Sequence, residues 1–130
     1  MIEAAEKIAT LAKDNNDIEV IWLYGSQANG SAHEKSDIDL AIAFKQHLND
    51  PIESTTRPEI LALEWNHQLN FPENTISIVD INLAPTNLGW EIIMANQVIY
   101  CRNDFRRYNE ERLIFSRYEI DLLHHRKHYG

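Results

Sequence analysis

β-rich runs and helical stretches in the order helix, strand, strand, helix, strand, helix, and a closing segment without Gly or Pro before its last residue, predict an α/β (α+β) fold. The architecture expected is a small mixed β-sheet flanked by helices, with a long C-terminal helix. The chain of 130 residues fits one domain, spanning residues 1–130, with a core over about 18–100 and a terminal helix over about 103–128. A hydrophobic fraction of 44% and a charged fraction of 25% are those of an ordinary globular protein rather than a disordered one.

Each element has its own signal. Ile2, Ala5, Ile8, Ala9 and Leu11 recur at helical spacing until Asp14-Asn15-Asn16-Asp17 breaks the pattern, which predicts a first helix. Ile18 to Tyr24 (IEVIWLY) is a nearly continuous β-branched and aromatic run, as in a strand buried on both faces, and it stops at Gly25-Ser26. Asp37 to Phe44 (DIDLAIAF) alternates, with Ile38, Leu40, Ile42 and Phe44 on one face and Asp37, Asp39, Ala41 and Ala43 on the other. Asn49-Asp50-Pro51 reads as a chain break. Arg57 to Leu69 reads as a helix offering Ile60, Leu61, Leu63 and Leu69 for burial. Thr75 to Leu83 (TISIVDINL) is the third strand, Pro85 to Ala95 a short helix, and Val98 to Tyr100 an edge strand. In the terminal helix, Phe105, Tyr108, Phe115, Tyr118 and Leu122 fall near helical spacing and are expected to cover the core, while Trp22, Trp65 and Trp90 read as core residues.

Charge and cysteine usage narrow the class. Twelve Lys and Arg against twenty Asp and Glu give a net charge of −8, a field that repels a polyphosphate backbone and argues against a nucleic-acid grip. The single Cys101 has no partner for an internal disulfide and reads as a small buried residue rather than a nucleophile. Charges interrupt the N-terminal stretch where a secretion signal needs an apolar core, and no run approaches the roughly 20 apolar residues that span a bilayer. The expectation is a soluble cytoplasmic protein without a membrane partner.

The chemistry concentrates around Gly25-Ser26 and, ten residues later, Asp37-Ile38-Asp39. Two Asp at i and i+2 of a strand share a face, with Cβ atoms roughly 6–7 Å apart. That separation suits a pair of cations about 3.5–4 Å from each other. Mg²⁺ takes such hard oxygen ligands and shares them with phosphate oxygens. A glycine in the turn lets the backbone approach an anion, and the Ser26 hydroxyl and following amides can donate to phosphate. Asp80 stands among apolar neighbours (SIVDINL), where an ionised carboxylate is costly unless paired or metal-bound; it is the candidate third ligand. His124 and His128, at i and i+4 beside His125, could share a metal, but basic residues ending a helix are better read as complements to its dipole.

GSQANGSAHEKSDIDLAIAF followed by VDINLAP resembles the GS-x10-DxD and distal Asp pattern of the DNA polymerase beta nucleotidyltransferase superfamily, and most of all its minimal, single-domain members. The resemblance runs from about Ile18 to Tyr100. It implies that Asp37 and Asp39 bind two Mg²⁺ ions, that Asp80 binds one of them and helps deprotonate an acceptor hydroxyl, and that Gly25 and Ser26 hold the triphosphate of ATP. In-line attack on the α-phosphorus then expels pyrophosphate. Many relatives carry a basic residue soon after the Gly-Ser pair. Here Gln27 and Asn29 stand there, leaving Lys35 or an arginine of the C-terminal half to supply that contact.

Minimal members of this superfamily are commonly antitoxins encoded beside a HEPT-domain toxin, an RNase-like helical protein. The resemblance therefore implies transfer of AMP from ATP to a toxin hydroxyl, a tyrosine first, within a hetero-oligomer of antitoxin and toxin. Two alternatives stand beside it: nucleotidyl transfer to a small hydroxylated compound of the aminoglycoside type, and an inactive fold that neutralises its partner by binding alone.

Overall fold

A four-stranded mixed sheet organises the molecule, and its residue pattern explains which strand lies where. The structure is a computed structural model that describes residues 2–30 and 37–129, with side chains for residues 3–30 and 37–126. The elements run α1 (Ile2–Lys13), β1 (Ile18–Tyr24), α2 (Ser26–Asn29), β2 (Ile38–Phe44), α3 (Pro51–Gln68), β3 (Ile76–Asp80), α4 (Thr86–Ala95), β4 (Val98–Cys101) and α5 (Asp104–Tyr129). The strand order is β3-β2-β1-β4. β1 pairs antiparallel with both β2 and β4, whereas β2 and β3 are parallel, with the crossover between them carried by α3. The most apolar strands, β1 and β2, take the centre, where both faces are covered.

The alternation of β2 separates two apolar layers. On one face Ile38, Leu40, Ile42 and Phe44 join Ile21 and Leu23 of β1 beneath α1 and α3. On the other, Ala41 and Ala43 join Val20 and Trp22 beneath Ile92 and Ile93 of α4 and Ile114 of α5. The alanines leave room there for Trp22, which is fully buried and donates its indole N–H to Glu111 Oε2 at 3.0 Å. A Cβ at Gly89 would lie only 3.2 Å from Ile114, so the absence of a side chain lets α4 and α5 pack closely.

Several elements differ from the sequence expectation. Asn49-Asp50-Pro51, read as a break, is a helix start: Asp50 accepts a hydrogen bond from the Ile52 amide at 2.9 Å, and Pro51 opens the first turn of α3. With the helix begun earlier, Leu61, Ala62 and Trp65 face the core, while Ile60 and Leu63 are exposed. The aromatic stripe of α5 does not cover the core. Phe105, Tyr108 and Phe115 are exposed, and α5 buries Glu110 and Ile114 instead. Tyr118 stacks on the half-buried Trp90 at 3.9 Å, while Trp22 and Trp65 are core residues as the sequence predicts. Cys101 is half-buried, and burial together with a hydrogen bond to Asp104 pushes its thiol pKa up, away from nucleophilic use. Among the described residues, no helix is long and apolar enough to cross a membrane.

Candidate active site

The end of β1 and the start of β2 meet because the two strands are antiparallel and in register, which sets Tyr24 opposite Asp39. The chain leaves β1 through Gly25, whose φ of 74° and ψ of −155° lie in a region that glycine alone adopts readily. A Cβ at this position would come within 2.5 Å of Asp39 Oδ2. Glycine thus serves both the turn and the close approach of backbone to carboxylate. Ser26 opens α2, and the Ala28 and Asn29 amides bond back to the Gly25 carbonyl at 3.1 and 3.2 Å. Gly25, Ser26 and Asp39 are therefore brought together; Asp37, two residues before Asp39, is exposed at the mouth.

Asp37 and Asp39 line a cavity of about 540 Å³ that opens at the β3 edge of the sheet, with Glu59, Asn66, Asn74 and Ser77 among its walls. Asn66 fixes that edge: buried on α3, it accepts a hydrogen bond from the Ile76 amide at 2.9 Å. Burial, then the neighbouring charges of Asp37 and Glu91, hold the Asp39 carboxyl above its ordinary pKa. Tyr24 is pushed up to about 12 by burial and by Asp39 and Glu91. Crowded carboxylates against a Gly-Ser turn are the donor chemistry that a hard divalent cation would neutralise, and such a cation takes phosphate oxygens at its remaining positions. Glu91 on α4 belongs to this field, and no sequence motif singles it out.

Asp80 is not part of this constellation. The parallel register of β2 and β3 sets Ser77 beside Asp39 and sets Asp80 beside Ile42. Three residues separate the two levels, roughly 10 Å along the strand, and the odd offset turns Asp80 to the opposite face. There it is buried, pairs with Arg57 Nη2 at 3.4 Å and accepts a hydrogen bond from the Asn82 amide at 2.9 Å. The sequence argument that a carboxylate in SIVDINL needs a partner holds, but the partner is a guanidinium. Ser77 is the residue that reasoning missed, because only the β2–β3 register brings it level with Asp39.

The same far end holds a second arginine. Arg106 of α5 reaches Glu19 and Glu110, each at 3.0 Å, the Phe44 carbonyl at 2.8 Å and Asn82 Oδ1 at 2.6 Å. Arg57 also bonds Asp17 at 3.2 Å and the Gln46 carbonyl at 2.7 Å, and lies over the Phe44 ring. Among the described residues no arginine lines the Asp37–Asp39 cavity. Gln27 and Asn29 lie on α2, and Lys35, the other basic candidate, lies outside the described residues. So does the side chain of His128; among the described residues no three His, Cys, Asp or Glu side chains cluster closely enough to hold one metal ion.

The sheet order and flanking helices are those of a nucleotidyltransferase-type fold. Residues 6–105 match the family described as Polymerase beta, Nucleotidyltransferase, and the chain belongs to that family. A search of the curated proteins found no match. Among solved structures, a chain of a toxin–antitoxin complex with AMP-PNP is similar with a TM-score of 0.72 and 24% identity, over 95% of this chain and 93% of that one. A chain of a toxin–antitoxin complex named MntA-HepT aligns with a TM-score of 0.68 and 21% identity over 98% and 94%. A chain from a complex of tri-AMPylated Shewanella oneidensis HEPN toxin with MNT antitoxin aligns with a TM-score of 0.66 and 21% identity over 95% and 90%.

Proposed function

We propose that this chain is the antitoxin of a toxin–antitoxin pair and a protein adenylyltransferase, moving AMP from ATP to a hydroxyl, tyrosine first, of a cognate HEPT-domain toxin in the cytoplasm. The observation that carries the reading is the abutment of Gly25 on Asp39, which leaves backbone, not side chain, beside the carboxylate where a triphosphate must approach. The similar solved structures support donor and acceptor in turn, since one complex contains AMP-PNP and another an AMPylated toxin. Mg²⁺ held by Asp37 and Asp39 would neutralise the triphosphate and the departing pyrophosphate.

The chain's own part is positioning. The Gly25-Ser26 turn sets the triphosphate, and Asp37 and Asp39 would hold the cation that turns the α-phosphate toward the acceptor. The acceptor oxygen bonds to the α-phosphorus while the bond to the bridging oxygen breaks; pyrophosphate leaves with the electron pair, and the acceptor proton passes to water.

Intact-mass spectrometry of the toxin after incubation with this chain, ATP and Mg²⁺ tests the reading. Adenylyl increments are expected with wild type and absent with Asp39→Asn. A second reading, neutralisation by binding alone, is favoured by the presence of Ser77 rather than a carboxylate beside Asp39. A stable complex without any mass increment would establish it and overturn the first.

A further inference from the structure

The register that removes Asp80 from the site also says what stands in its place. Ser77 is level with Asp39 on the adjacent strand, and residues so paired on parallel strands share a face about 4.8 Å apart. Its side chain is exposed between the buried Ile76 and Ile78, so it points away from the α3 layer. It also lines the same cavity as Asp37 and Asp39. Among the described residues, no other strand position is level with Asp39 on the β3 side. β3 is an edge strand, so nothing beyond it in the sheet can reach across.

We propose that position 77 is where this fold would deliver a third carboxylate to the cation site, and that Ser77 leaves the chain with one firmly held divalent cation and a weak second one. The inference rests on the nucleotidyl-transfer reading of the site. A serine hydroxyl is a neutral, weak donor to a hard dication, whereas a carboxylate adds charge at the same reach. Two anionic ligands suffice for an ion that also takes phosphate oxygens from the nucleotide. A second ion, beside the attacking oxygen, would have fewer phosphate oxygens to share and would depend more on protein ligands. Glu59 and Glu91 do not make good the loss: Glu59 shares the cavity and Glu91 shares the field, yet neither forms a three-ligand group with Asp37 and Asp39. The site is therefore one substitution from completion, at an exposed position where a larger polar side chain is tolerated.

Counting Mn²⁺ by electron paramagnetic resonance with α,β-methylene-ATP, whose α–β linkage cannot be broken, reads the inference directly. The wild type and Ser77→Ala should hold one Mn²⁺ tightly, with a second site about ten-fold weaker or more. Ser77→Asp should hold two, and its rate of AMP transfer to the toxin should rise by roughly ten-fold or more. Asp80→Asn should leave the count unchanged. Two equally tight ions in the wild type, or a single ion in a folded Ser77→Asp protein, would overturn the inference. A second ion gained by Ser77→Asp without any AMP on the toxin would uphold it and instead sink the transfer reading.

Discussion

The two ends of the central strand β2 carry carboxylates in opposite circumstances. At its far end, Asp80, Glu19 and Glu110 are each met by a guanidinium at 3.0–3.4 Å, and Asn82 binds across to Glu110 and Arg106. At its near end, Asp37 and Glu91 both repel Asp39, and no arginine lines the Asp37–Asp39 cavity among the described residues. Buried charge that is fully paired holds a structure in one arrangement, whereas crowded like charge destabilises the fold that carries it and is relieved by a bound cation or by protonation. The contrast teaches that a buried aspartate near a motif is not thereby part of it; its partners decide.

Breaking the paired end should have the larger effect. Arg106→Ala would leave Glu19 and Glu110 without their guanidinium and free the Asn82 and Phe44 oxygens, lowering stability by about 3 kcal/mol in urea unfolding. Nucleotide affinity of the folded protein should be unchanged. A loss below about 1 kcal/mol would mean that the network is a solvated surface cluster and would erase the contrast.

Asp80→Asn sharpens the same comparison at smaller scale. It keeps the hydrogen bond from the Asn82 amide but removes the charge facing Arg57, so a loss of about 1–2 kcal/mol is expected. Isothermal titration with Mg²⁺ and α,β-methylene-ATP should give wild-type affinity. If affinity fell as far as it does in Asp39→Asn, Asp80 would belong to the cation site after all.

Much of this was legible in the sequence. Periodicity was enough for β1, for the two faces of β2 and for α4, because burial on both sides of a strand and on one side of a helix writes itself into residue type. The Gly25-Ser26 and Asp37-Ile38-Asp39 signals lie at adjoining ends of antiparallel strands, so their meeting needs only the β1–β2 pairing. What was hidden depends on pairings between distant segments. The shift that sets Ser77, and not Asp80, beside Asp39 comes from how β3 docks in parallel after an 18-residue helix, held by Asn66, and no local pattern encodes it. Glu91 entered the site the same way, from a helix packed across the sheet. The aromatic residues of α5 were misplaced because helical spacing says that a stripe exists, not which stripe is covered.

The smallest effect concerns the unpaired end, and its sign is diagnostic. Burial, Asp37 and Glu91 raise the Asp39 pKa, so the ligand-free fold favours the neutral carboxyl. Such a group contributes stability that is fully present below its unfolded value, about 3.9, and is lost as pH rises through its higher folded value. At neutral pH the ionised Asp39 is therefore a local cost. Asp39→Asn, which mimics the neutral form, should melt a few degrees above wild type without ligand. Lowering the pH through the folded value should shrink that difference, because the wild-type carboxyl then becomes neutral as well; comparing the two proteins at each pH cancels the titration of all other groups. Adding Mg²⁺ with nucleotide should reverse the order at neutral pH, since a cation stabilises only the protein that can bind it. A mutant that melts below wild type without ligand at neutral pH would show Asp39 to be a structural carboxylate like Asp80, and the two ends of β2 would no longer differ in kind.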